Sequence, residues 1–318
     1  MLVFSFVLLG GVCYILSLMC KNYFGCLLVA FSFAGSVLAE EVKPQVYQVD
    51  WKEGDTPGSE WVTKGKVMKS PNGARTFLGG ITDEAVTSLH VKDLPEHEVL
   101  TLEVELFVVG TWDGSNTTWG PDKLNISLLD EYVLLNTTFS NCLANNWTGS
   151  QHYPEDMTGR GKYNCFTGIS YIGELGYRQQ WARYEPVQNV PIDSTYKLKF
   201  SVPHSADSFT LNFQSDANEQ DGKADDQKEQ WYGIGKVTVS THNDQAVDEK
   251  EWAKLRANLL NGFIPISNHA FWEMMRYPDR FRADYQLLKT TSSTQRWWYP
   301  RAERLLMKGE TLETAKGE

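Results

Sequence analysis

The stretch TWDGSNTTWGPD, residues 111–122, gathers two aspartates, two tryptophans, glycines, a proline and small hydroxyls into one short loop. Asp113 and Asp122 offer hard carboxylate oxygens, Gly114 and Gly120 let the backbone turn, and Ser115, Asn116 and main-chain carbonyls could complete an oxygen shell. That composition suits Ca2+. It lacks the fixed spacing of an EF-hand, and the same residues equally suit an Asx-turn network that shapes the loop without an ion. A second acidic run, DANEQDGKADDQKEQ, carries Asp225, Asp226 and Glu229. Runs of this kind are usually solvated loops, but a fold that brought this one beside Asp113 and Asp122 would make one cation site.

Aromatic rings are the second chemistry on offer, because the C–H faces of sugars stack on indole and phenol rings. Trp112, Trp119, Trp147, Tyr153, Trp181 and Tyr184 fall in segments without strand or helix periodicity. They are expected as a ligand-binding platform, or alternatively as the cores of long loops. The catalytic inventory is thin: G-x-S-x-G, H-E-x-x-H and a P-loop are all absent. Glu103-Val104-Glu105 supplies only two carboxylates of the E-x-D-x-E strand signature of concanavalin-like glycosidases. His97 and His204 have no Cys or His at ligand spacing and read as hydrogen-bonders in turns or core.

A β scaffold must hold these residues. In LTLEVELFVV the residues Leu100, Leu102, Val104, Leu106 and Val108 share one face, and the alternation recurs in LNISL, YKLKFSV, FTLNF and KVTVS. VYQVDW, ARTFL, AVTSLHV and YVLLNTTF are weaker strand candidates. Short strands without intervening helices predict a mainly β fold, an antiparallel, jelly-roll-like β-sandwich over residues 40–241. After Thr241 the period changes. DEKEWAKLRANLLNG reads as a helix capped by Asp248, and HAFWEMMRY, DRFRADYQLLK and PRAERLLMKG read as three more, a short helical extension over 242–318. Trp297, Trp298 and Tyr299 beside Arg296 and Arg301 are expected as a core face of that extension, with docking and membrane-surface roles as the alternatives.

Residues 1–39 are largely apolar, with Lys21 their only charge, and read as a signal peptide, with initiation at Met19 and cleavage after Val37-Leu38-Ala39, or else as a retained membrane segment. Export agrees with the cysteines, since Cys13, Cys20 and Cys26 fall in that segment and only Cys142 and Cys165 remain to pair. Their bridge would close the long connection over residues 141–168 and contribute about 3 kcal/mol by constraining the unfolded chain. The sequons at Asn116, Asn125, Asn136 and Asn146 would be solvent-facing glycan sites in a eukaryote, and in a bacterium only a surface rich in Asn and Thr. A formal charge of -10 argues against a nucleic-acid partner and suits cations.

FLG, LPEH, WDG, GPD, TFSN, QHYP, ELGY and EQWYGI follow one another between residues 77 and 234. In that order they resemble an uncharacterised family of secreted bacterial β-sandwich modules, chiefly planctomycete, with a concanavalin-like or galactose-binding-like look. By this resemblance Asp113 and Asp122 match the family's acidic loop, and Tyr232, Gly233 and Ile234 match its terminal W-G-x. Glu229, Gln230, Gly235 and Lys236 replace its Asp, Glu, second Asp and Asn, which weakens any cation site there. The expectation is a secreted, non-catalytic binding or adhesion module, extracellular, cell-surface or periplasmic, that takes a glycan or a protein, with membrane contact only through an uncleaved N-terminal segment. The alternative is a glycoside hydrolase on the same sandwich.

Overall fold

The computed structural model describes residues 4–9, 12–17, 29–32, 44–82, 86–117, 120–128, 132–142, 150–157, 162–181, 188–217, 230–244, 246–261, 266–291 and 297–314. The chain divides into two compact units, Met1–Val42 and Lys43–Glu318. In the first, strands β1 (Phe4–Leu9), β2 (Val12–Ser17) and β3 (Val29–Ser32) pair antiparallel in that order. No helix among the described residues is long and apolar enough to cross a membrane.

The second unit is a sandwich-like pair of curled antiparallel sheets with four helices after them. Its strands are β4 (Gln45–Asp50), β5 (Trp61–Val62), β6 (Lys66–Lys69), β7 (Thr76–Ile81), β8 (Thr87–Val91), β9 (Val99–Val109), β10 (Lys123–Leu128) and β11 (Tyr132–Thr138). Then come β12 (Ser150–Gln151), β13 (Tyr163–Asn164), β14 (Tyr171–Ile172), β15 (Arg178–Trp181), β16 (Gln188–Pro191), β17 (Asp193–Pro203), β18 (Phe209–Asp216) and β19 (Trp231–His242). One sheet runs β11-β10-β18-β8-β5, and the other β14-β17-β9-β19-β7-β6 with β4 also on β19. The short pairs β12-β13 and β15-β16 lie in the long connections.

The alternating residues do what their period requires: Leu100, Leu102, Leu106, Val202, Leu211 and Phe213 are all fully buried in the core. β9 and β17 are buried at nearly every position, because their outer faces are partly covered as well. Phe77 and Phe107 lie on the outer face of the larger sheet with ring centroids 5.0 Å apart, and Phe77 stacks on Trp231 at 6.1 Å. Close approach here requires glycine. A Cβ on Gly235 would stand 2.7 Å from the Phe107 ring, so the aspartate of the resemblance has no room at this position. β19 shifts register between Ile234 and Val237, as a bulge does.

The helices are α1 (Glu249–Asn261), α2 (Ile266–Met274), α3 (Pro278–Thr291) and α4 (Trp298–Thr314). Asp248 caps α1 by accepting the N–H groups of Lys250 and Glu251 at 2.8 and 3.0 Å. Pro278 opens α3, with Asp279 inside its first turn. β11 ends the smaller sheet, and β17, beyond the two-residue β14, ends the larger. α4 packs against both edges and α2 against β17, where Trp272 meets Phe200 edge-on at 5.4 Å. The helices therefore close the open side of the sandwich, and Trp252, Phe271 and Trp298 join one core cluster with the strands. The period changes near residue 241 as expected, while residues 43–318 make one compact unit. A helical pattern shows that a face must be buried, not against what.

Candidate functional site

Five of the motifs behind the resemblance, WDG, GPD, TFSN, QHYP and ELGY, fold together at one end of the sandwich into a hydrogen-bonded loop cluster, whereas LPEH precedes β9 at its opposite end. Asp113 and Asp122 are both buried, and the Asp122 carboxylate accepts the Asp113 N–H. The Asp122 N–H returns to Gly114 O at 2.9 Å, and Gly114 turns with φ +67° where a Cβ would strike Ser150 O. Ser115 Oγ lies 2.8 Å from both Thr138 Oγ1 and His152 Nδ1. Asn141 is satisfied on every side: its Nδ2 donates to Val108, Gly110 and Ile192 carbonyls, and its Oδ1 accepts from Ser194 Oγ at 2.6 Å. Asp193 takes the N–H groups of Leu175 and Tyr177 at 2.9 Å each, which fixes the ELGY loop; burial nevertheless raises its carboxyl above the ordinary range. Such a cluster positions strand ends. No group of three His, Cys, Asp or Glu side chains among the described residues gathers as a metal site, and Asp225, Asp226 and Glu229 lie outside the described residues.

Two of the aromatics expected on an open platform are core residues instead. Trp112 is fully buried with Nε1 donating to Val109 O and Trp231 O, and Tyr153 is buried against Phe139 and Tyr196, with centroids at 5.0 and 5.1 Å. The loops are long enough to need cores of their own, and these rings supply them. Trp119, Trp147 and Tyr184 lie outside the described residues, as does the side chain of Trp181, whose backbone ends β15. Cys142 and Cys165 form the disulfide, with Cα atoms 5.5 Å apart. His97 and His204 do not stand alone: His97 Nε2 and His204 Nδ1 are 2.8 Å apart across 107 residues of sequence.

The surface that offers binding chemistry lies where β11 meets α4. Asn125 on β10 faces Asn136 on β11 and Gln214 on β18, so three primary amides form a row across the smaller sheet. With Lys123 and Asp216 they line a depression of ≈ 360 Å³. Asn136 also lines a neighbouring pocket of ≈ 450 Å³ with Val133 and Asp156, so the two adjoin. The far wall is Trp297, just before α4, with Pro300, Arg301 and Arg304 in its first turns, spaced i, i+3, i+4 and i+7. Trp297 is half-buried, while Trp298, one residue on, is wholly in the core. Glu303 also lines the pocket and accepts from Tyr285 Oη at 2.8 Å and Lys289 Nζ at 2.5 Å.

The loop that follows the cis Tyr153-Pro154 bond builds the floor between the two walls. The Tyr153 N–H donates to Thr138 O and the Met157 N–H to Asn136 O, so residues 153–157 run along the edge of β11. This carries Asp156 to Arg301, whose Nη2 donates to Asp156 Oδ2 at 2.6 Å with both side chains buried. The guanidinium sits over Trp297, Trp272 and Phe271 at 5.2, 5.3 and 5.9 Å. Burial pulls Arg301 down to about 10 in spite of its carboxylate partner, and the nearby Arg304 adds to the shift. Of these groups the sequence marked Trp297 and Arg301, and Asn125 and Asn136 only as sequons. Gln214 and Arg304 carried no signal, since an amide row is visible only once strand register is known.

On the outer face of the larger sheet, Arg75 donates to Glu105 and to Glu174 Oε1, and Thr195 Oγ1 donates to Glu174 Oε2 at 2.7 Å. Glu103 pairs with Lys199 at 3.3 Å. The 70–75 turn ties to the ELGY loop through Asn72, which donates to Glu174 O and Leu175 O and so covers this face. No protein-family model matches the sequence, and no curated protein matches it.

Proposed function

We propose that the protein is a secreted, non-catalytic binding module that holds a carbohydrate in the groove between β11 and α4. The observation that carries this reading is the amide row Asn136, Asn125 and Gln214 adjoining the half-buried Trp297. Each primary amide presents a donor and an acceptor together, which matches the hydroxyls of a sugar, and an indole beside them offers a surface for its C–H face. The disulfide fits an oxidising, extracellular or periplasmic setting. The planctomycete-type resemblance agrees with export and with a sandwich that binds.

A glycan array followed by affinity measurement tests it. Gln214→Ala and Trp297→Ala are each expected to weaken the best glycan about tenfold, the loss typical of a central contact, without changing the circular dichroism. Intact glycans on Asn125 or Asn136 of the native protein would fill the groove and refute the reading. The hydrolase alternative is answered by the same glycans: turnover that is lost in Glu103→Gln or Glu105→Gln would overturn the non-catalytic assignment. Its support is weaker, because Arg75 engages both Glu105 and Glu174 in ion pairs and Glu103 pairs with Lys199. Calcium in the 111–122 loop is a separate proposal. A melting temperature raised by calcium in the wild type and not in Asp122→Asn is the result that supports it.

A further inference from the structure

The helical wall of the groove contains a charge arrangement that a neutral sugar leaves unused. Arg301 is only 3% exposed, and while its Nη2 is spent on Asp156, its Nη1 is buried with no hydrogen-bond partner among the described residues. An unmatched guanidinium nitrogen is expensive to bury, so the positive charge of Arg301 in the wall of the pocket is only partly compensated by Asp156. Arg304 stands one turn further along the same face, exposed and without an ion pair among the described residues, near enough for its charge to act on Arg301. The acidic groups nearby are engaged, Asp156 by Arg301 and Glu303 by Lys289 and Tyr285. Trp297 supplies the ring and Asn136 the amide at the junction with the neutral half of the groove.

We infer that the α4 end of the groove selects a planar or tetrahedral anion carried on a sugar, the carboxylate of a uronic acid or a sulfate ester, received by Arg304 and the Arg301 wall. This rests on the carbohydrate reading of the same groove and adds the substrate class. An anion between two neighbouring guanidinium groups relieves their mutual repulsion and forms charge-assisted hydrogen bonds. The rest of the molecule works against it: at a net charge of -10, a polyanion is repelled in general, so any affinity for one must be local.

Calorimetric titration of the full chain with an oligogalacturonate, its methyl ester and a sulfated neutral galactan of similar length tests this. The acid, the sulfate or both are expected to bind at least about tenfold tighter than the ester, with the preference lost in Arg304→Ala while ester affinity stays. Arg304 is exposed, so that variant is expected to fold, and unchanged melting verifies it. Carboxylate and sulfate arms decide which anion is the natural one. Equal affinity for acid and ester overturns the anion inference and leaves the carbohydrate reading standing. A preference that survives Arg304→Ala overturns the assignment to this wall. Failure of all three, together with every neutral glycan of the array, overturns both.

Discussion

His97 and His204 form a buried pair in which protonation of His204 is linked to stability. His97 Nδ1 lies 2.7 Å from Pro95 O and so donates there, which leaves Nε2 to accept from His204 Nδ1 when both rings are neutral. Burial, helped by the charge His97 would carry, lowers His204 to about 4 from its ordinary 6.5. Between those values the unfolded chain binds more protons than the folded one, so stability is complete above pH 6.5 and falls as the pH drops towards 4. The loss expected from His204 is about 3 kcal/mol. Urea titrations at stepped pH measure it, and His204→Gln, whose amide can still meet His97, is expected to flatten the slope. The Arg301–Asp156 pair makes a second residue-scale prediction. Asp156→Asn leaves a buried guanidinium without its counter-charge and is expected to cost about 3–5 kcal/mol, most of it recovered when Arg301→Met is added.

At the scale of elements, the disulfide ties the 141–168 connection across the end of the sandwich, beside the Gln151 bonds to Ser140, Tyr153 and Thr167. Cys142→Ser with Cys165→Ser is expected to lower stability by about 3 kcal/mol and to leave far-ultraviolet dichroism unchanged, as the sheets do not depend on it. Elements are also where the sequence was most readable. A period of two over Leu100 to Val108 has one physical solution, a strand with one wholly apolar face, and Asp248 before Trp252 has one reading as a cap, although the partly covered outer face of β9 carried no such signal. Sites are harder because they join residues that only register and packing bring together. Asn125 meets Gln214, and His97 meets His204, through pairings that no local spacing encodes. Trp112 and Tyr153 were misleading for a related reason: a loop this long carries its own core, and an aromatic in it looks the same in sequence whether it faces water or Phe139.

For the molecule from residue 43 onward, the decisive feature is that sheets and helices share one core. Phe200 on the inner face of β17 meets Trp272 of α2, and Arg301 of α4 reaches Asp156 beside β11, so both edges of the sandwich are sealed by the tail. Removing it would uncover Phe200 and take the Arg301 guanidinium from Asp156, costs of several kcal/mol set against the modest total stability of a domain. A single cooperative transition is therefore expected for this unit, with helical dichroism, tryptophan fluorescence and near-ultraviolet dichroism superimposing through a urea titration. A chain cut after His242 is expected to show no such transition and to bind a hydrophobic dye. If the cut chain instead unfolds cooperatively at the midpoint of the intact protein, the helices are an appendage, and the groove between β11 and α4 is an interface between two independently stable parts.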